Sequence, residues 1–164
     1  MSNLDSIRIA VQEAATLIGK RMTRIEDDWI PIAFAGSGQM LHMLDIPPDL
    51  LGSEAGKNLL CDEILPRFIK TTKADSYALV VSGWATDYKL GDLPGHLPEE
   101  YDRSEWLFLT LADLHSVELW QAEIKRPEGA SRPQLGEWEQ IDADLTTGRF
   151  FDPQINALRG SEEK

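Results

Sequence analysis

The chain opens on a helical period. Ile7, Ala10, Val11, Ala14, Leu17, Ile18, Met22 and Ile25 recur at three- and four-residue steps, which predicts an amphipathic helix over residues 1–25. Ser2 or Asn3 can cap its start, and Arg21 and Arg24 sit near its end, where cations favour the helix dipole. Such a helix has one apolar face to cover. It can pack on its own sheet or on a twin, so a homodimer through this helix is one expectation.

Trp29 to Ala35 reads as a strand, with Pro31 marking an edge position or an irregular entry. Gly36-Ser37-Gly38 is a Gly-rich hairpin turn, Gln39 to Ile46 returns, and Pro47-Pro48 stops the second arm. Ser53 is a good N-cap for a second helix reaching Thr72, with Leu60, Ile64 and Phe68 as its stripe. Pro66 lies inside that helix. The stripe stays in phase across it, so a kink is expected.

Tyr77 to Thr86 is apolar on both faces around Leu79-Val80-Val81, the pattern of a central strand covered on both sides. Glu105 to Ala112 and Val117 to Lys125 form a second hairpin across Asp113-Leu114-His115-Ser116, and Leu135 to Ile141 adds a short last strand. Asp144 to Phe151 reads as a turn and Pro153 to Leu158 as a helical turn, with fraying expected from Gly160 onward. Short connections favour antiparallel pairing. The predicted fold is therefore α+β: an N-terminal amphipathic helix, a β-hairpin, a kinked helix, then antiparallel strands of one mixed-order sheet with helices packed on it. Residues 1–160 form one expected domain and residues 161–164 a frayed tail.

Composition fits that picture, since 164 residues suffice for one domain with its own core. Cys61 is the only cysteine, which excludes an intrachain disulfide and a Cys-rich zinc site. It borders the apolar stripe and is followed by Asp62 and Glu63, a setting for a small buried hydrophobe and not for a thiolate nucleophile. The longest apolar run, Tyr77 to Val81, is five residues, against about 20 needed to span a bilayer. No signal-peptide pattern opens the chain, so the cytoplasm is the expected address.

Charge changes the picture more. Twenty-eight Asp and Glu against 16 Lys and Arg give a formal net charge of −12. A chain this acidic is repelled by phosphate backbones and anionic lipids, so neither direct nucleic-acid binding nor membrane binding is expected. An acidic surface instead suits a basic partner protein, such as one that itself binds nucleic acid.

Candidate chemistry is sparse. Residues 87–105 carry Asp87, Asp92, His96, Glu99, Glu100, Asp102, Arg103 and Glu105 on a long connection without apolar period. Carboxylates with one imidazole can bind a divalent cation or transfer protons. The enzymatic alternative is thus a metal-dependent hydrolase with His96, Glu99 and Asp102 as catalytic groups and Asp87, Asp92 and His96 as ligands. Their spacing matches no known metal loop, and loops are polar because they face water, so a plain solvated loop is the leading reading of this segment. His42 and His115 fall in a strand and a turn, without a helical His pair. Val81-Ser82-Gly83-Trp84 lacks the first glycine of a nucleophile elbow, and Gly36-Ser37-Gly38 lacks the rest of a phosphate loop.

Five tryptophans, Trp29, Trp84, Trp106, Trp120 and Trp138, fall in or beside predicted strands. Tryptophan serves both cores and interfaces, and Trp84, Trp106, Trp120 and Trp138 are the candidates for protein binding.

Val81-Ser82-Gly83-Trp84, the Arg103-Ser104-Glu105 strand entry, Trp120-x-Ala122-x-Ile124-x-Arg126, Leu135-Gly136-x-Trp138 and Gly148-Arg149-Phe150 together resemble a pattern of small bacterial and phage proteins of unassigned function. The order of elements is similar to that of profilin-like and roadblock-type modules and of acidic secretion chaperones. These resemblances imply a bacterial or phage origin and no particular activity. The leading expectation is a non-enzymatic, acidic protein-binding or regulatory module without a cofactor.

Overall fold

The computed structural model describes residues 2–86, 103–141 and 151–162. Helix α1 (Asn3–Lys20) leads into the hairpin β1 (Ile32–Ser37) and β2 (Met40–Asp45). A continuous helical segment follows: α2 (Glu54–Leu59), a π turn (Leu60–Ile64) and α3 (Leu65–Thr72). Strands β3 (Ser76–Thr86), β4 (Arg103–Asp113), β5 (Val117–Lys125) and β6 (Gln134–Ile141) precede the last helix, α4 (Asp152–Glu162). The six strands form one antiparallel sheet in the order β2-β1-β3-β4-β5-β6. The fold is α+β, as expected, and sequence order is broken at one place only, where β3 joins β1.

Helices cover both faces of the sheet. On one, Leu4, Ile7, Val11 and Ala15 of α1 bury against Phe34, Val80, Leu107, Leu109 and Leu111. On the other, Leu60, Leu65 and Ile69, with Ala157 and Leu158 of α4, bury against Ala33, Ala35, Tyr77 and Leu79. Each fully buried aliphatic side chain contributes about 1.5–3 kcal/mol. Leu4, Ile7, Val11 and Ala15 of α1 are thus covered by its own sheet, while Ile9 and Leu17 of the same helix stay exposed.

Several local outcomes differ from the sequence pattern. Helix α1 stops at Lys20, five residues short of Ile25, because the Asp27 carboxylate accepts from the backbone N–H groups of Thr23 and Arg24, each at 3.0 Å, and turns the chain. Trp29 lies ahead of β1, buried under α1, where its indole N–H donates to the Ala15 carbonyl at 2.9 Å. Gly36 and Ser37 are strand residues, so the hairpin turn is Gly38-Gln39 alone. Gly38 takes φ 61°, the left-handed value that the first position of a type II′ turn requires. Arg103 and Ser104 already belong to β4, which pairs with β3 over eleven residues. Helix α4 runs through Gly160 to Glu162, longer than the single turn expected. Of the turn expected over Asp144 to Phe151, residues 144–150 lie outside the described residues.

The expected kink at Pro66 is a π turn. Pro66 has no N–H, and Leu65 donates one residue further back than in an α-helix, to the Leu60 carbonyl. The Cys61 carbonyl thereby loses its helical donor. Buried Gln154 of α4 replaces it, with Nε2 donating to that carbonyl at 2.9 Å, so one side chain locks α4 onto the helical layer. Cys61 itself is buried, as its setting suggested.

Gln154→Leu should lower stability by about 1–3 kcal/mol, the cost of leaving a buried carbonyl unmet. An unchanged denaturation midpoint would show that the Cys61 carbonyl finds another donor. Gly19→Ala should also destabilise, although helix propensity alone favours it by about 1 kcal/mol. A methyl group at Gly19 would stand 2.7 Å from Cζ2 of Trp29, whose ring is held by its hydrogen bond to Ala15. A higher melting temperature for this variant would contradict the fixed ring.

Candidate functional site

Strand β3 leaves the helical layers half-way along. Tyr77, Ala78, Leu79 and Val80 are buried, Val81 and Ser82 are half-buried, and Trp84 is 66% exposed. By strand alternation Ala78, Val80, Ser82 and Trp84 share the α1 face. Trp84 stands opposite Glu105 of β4, and Glu105 stands opposite Ile124 of β5. The site is built on the interior strands of the sheet, not on a loop.

Beneath Trp84 lies a polar cluster around Arg126, just past the end of β5. Its Nε donates to Glu105 Oε1 at 2.8 Å and its Nη2 to Glu105 Oε2 at 3.0 Å, a bidentate pair. Its Nη1 donates to the carbonyls of Ile25 and Asp27, both at 2.6 Å, and Nη2 stands 3.6 Å from Asp28 Oδ1. Asp28 Oδ2 accepts from Ser82 Oγ at 3.0 Å. The Glu105 hydrogen bonds first, then its charge and those of Asp28 and Asp27, hold the Arg126 guanidinium above its ordinary pKa against the opposing pull of burial. One side chain thus ties the segment after α1 to the far end of the sheet.

The arrangement limits the chemistry available. Every nitrogen of the Arg126 fork is engaged, so no open anion site remains. Ser82 is held by a carboxylate with no imidazole beside it, since the described histidines are His42 on β2 and His115 in the β4–β5 turn. What is left facing solvent is an indole and carboxylate charge. With Glu105 buried against Arg126, Asp28 and neighbouring Glu26 are the exposed carboxylates, the Asp28 side chain being 46% exposed.

The other tryptophans stand elsewhere. Trp106 is half-buried on the opposite face of β4, beside Gly83. Trp120 packs against the first core under Arg8, whose Cζ is 4.8 Å from its ring centroid, and its N–H donates to Glu118 at 2.9 Å. Trp138 of β6 is half-buried beside α1, flooring a groove of about 490 Å³ with Ile9 and Leu17. The four candidates therefore do not form one patch, and Trp84 is the one that projects. His96, Glu99 and Asp102, with Asp87 and Asp92, lie outside the described residues. Among the described residues no group of three or more His, Cys, Asp or Glu could hold a metal ion, and no helix is long and apolar enough to cross a membrane.

The pairing of Glu105 with Arg126 has a sequence signal that ordinary pattern reading passes over. Glu105 is in phase with Leu107, Leu109 and Leu111, and Arg126 with Ala122 and Ile124, so both charges fall on a core face. A buried carboxylate needs a partner, and alternation identifies it.

Fold and site together define an α+β protein with helices on both faces of an antiparallel sheet and an exposed, acid-flanked tryptophan at one end. Compared with protein-family models, curated proteins and solved structures, the chain matches none.

Arg126→Met should cost about 2–3 kcal/mol, less than a fully buried pair because a quarter of the guanidinium side chain stays in water (24% exposed, against 9% for Glu105). Adding Glu105→Gln should recover part of that loss. Urea denaturation of the two single variants and the double measures the coupling, and strictly additive losses would contradict a bidentate pair.

Proposed function

We propose that this chain is a non-enzymatic protein-binding or regulatory module that docks on a basic partner protein, with Trp84 as its anchor. The observation that carries the reading is a 66% exposed indole on a core strand, opposite the Glu105 that belongs to the Arg126 cluster. Tryptophan dominates binding energy where it is presented rigidly, because its area is covered at little entropic cost. A lysine or arginine of the partner can lie over the indole face and reach the Asp28 carboxylate at once.

The net charge of −12 supports the same partner chemistry. Carboxylates spread over the surface steer a cationic protein and repel polyanions, so the partner is a protein, such as a nucleic-acid-binding one, and not the nucleic acid or a membrane. Association of this kind weakens with salt, since exposed charges are screened beyond about 8 Å at physiological ionic strength. The setting that goes with this reading is a bacterial or phage-infected cytoplasm.

The test compares the immobilised wild-type chain with Trp84→Ala in host lysate at low and high salt. A stoichiometric basic protein should be retained at low salt, released at high salt, and bound about tenfold or more weakly by Trp84→Ala, the loss expected of an interface anchor. No stoichiometric partner in either buffer, or equal retention by the variant, would count against the proposal.

A further inference from the structure

The two edges of the sheet carry opposite chemistry. β6 is guarded against pairing: Glu137 and Glu139 are exposed along it, and a β-bulge interrupts its ladder between Ala122 and Ile124 of β5. Charges and bulges on an edge strand discourage a second strand from adding. β2 has neither. Met40-Leu41-His42-Met43-Leu44-Asp45 pairs with β1 in unbroken register, contains no proline, and carries its one carboxylate at the far end. Met40 is 63% and Met43 55% exposed, and Leu41 is exposed between them.

The backbone of β2 is poised for a neighbour. Ser37 and Met40 flank the two-residue turn, and Ile46 N donates to the Pro31 carbonyl at 2.9 Å. Residues 40, 42, 44 and 46 therefore bond inward to β1, and the amides and carbonyls of Leu41, Met43 and Asp45 face away from the sheet. Side chains alternate as well. Leu41 and Met43 stand on the α1 face, opposite Gly36 and Phe34. Met40, His42 and Leu44 stand on the other face, where Leu44, Leu59, Ile64 and Phe68, with the oppositely charged Glu63 and Arg67, line a mostly apolar groove of about 390 Å³.

We infer that β2 pairs antiparallel with β2 of a second copy about a two-fold axis at His42, joining the two sheets into one. Outward-facing residues must oppose each other across such an axis, which places it on a residue of β2 and not between two. At His42, Leu41 meets Met43 of the second copy and Met40 meets Leu44, so apolar faces apolar outside the central pair. At Met43, Asp45 would face Leu41. At Leu41, Gln39 would face Met43.

The surface is self-complementary, as a two-fold interface must be. The protruding Met40 of each copy arrives beside Leu44, at the groove of the other. Charge selects the same occupant. A chain of net charge −12 can meet a copy of itself only through a surface poor in carboxylates, and this axis holds the two Asp45 residues at opposite ends of the pairing.

Sedimentation of the full chain over a dilution series tests the inference. A monomer–dimer equilibrium is expected, with Leu41→Lys and Met43→Lys each weakening it by about tenfold or more through charge placed on an apolar strand pair. Glu137→Lys, on the guarded edge, should leave it unchanged, and circular dichroism confirms that each variant keeps its fold. Independently, His42→Cys should oxidise to a cross-linked dimer, because the axis makes position 42 a non-hydrogen-bonded pair with Cα atoms about 4.5 Å apart, within the reach of a disulfide. A chain monomeric at every concentration, a dimer indifferent to both lysines, a dimer weakened by Glu137→Lys, or no cross-link at position 42 would each overturn the inference.

Discussion

The structure depends on one strand being apolar on both faces. Tyr77 and Leu79 point to one side of the sheet and Ala78 and Val80 to the other, all buried. Neither face can be left to water, so one helix must lie on each side, and the chain supplies α1 before the sheet and the α2–α3 segment within it. The placement of β1 between β2 and β3 follows, because the strand covered on both sides needs neighbours on both edges. The π turn is part of the same solution. It lets a proline sit in the covering helix, and the carbonyl it frees becomes the point where α4 is fastened through Gln154.

The same strand then runs out from under its cover, and its chemistry changes with its surroundings. Past Val81 the residues are Ser82, Gly83 and Trp84, and their partners on β4 pass from Leu107 through Trp106 to Glu105. Arg126 makes that transition stable by binding Glu105 and the carbonyls of Ile25 and Asp27 together. Trp84 stands 66% exposed, whereas Trp29, Trp120 and Trp138 pack between α1 and the sheet. The sheet edges show a comparable division: one carries glutamates and a bulge, the other methionines and leucines.

Much of the fold was legible in the residues because it rests on periodicity. The two-faced apolarity of Tyr77 to Val81, the three- and four-residue steps of α1, and the Ser53 cap, whose hydroxyl accepts from Gly56 N–H at 3.0 Å, are local properties that the folded chain keeps. What escaped depends on partners distant in sequence. Asp27 ends α1 early by capturing amides behind it, Gln154 needs a carbonyl 93 residues away, and Arg126 needs one 101 residues away. The tryptophans were legible as candidates but not as a set, because sharing a face requires the strand register, which a single strand's pattern does not fix. The acids around His96 lie outside the described residues, so their chemistry stands where the sequence left it.

The central claim is that Trp84 meets a cationic protein while the remaining tryptophans hold the structure. The indole N–H resonances of the folded chain, followed by NMR during titration with a short Lys/Arg-rich peptide, address it directly. The Trp84 resonance should move in a saturable, salt-sensitive way while those of Trp29 and Trp138 stay in place, and a Glu-rich peptide of equal length should move none. Equal shifts at all five indoles, or a Trp84 resonance that does not respond, would contradict the account.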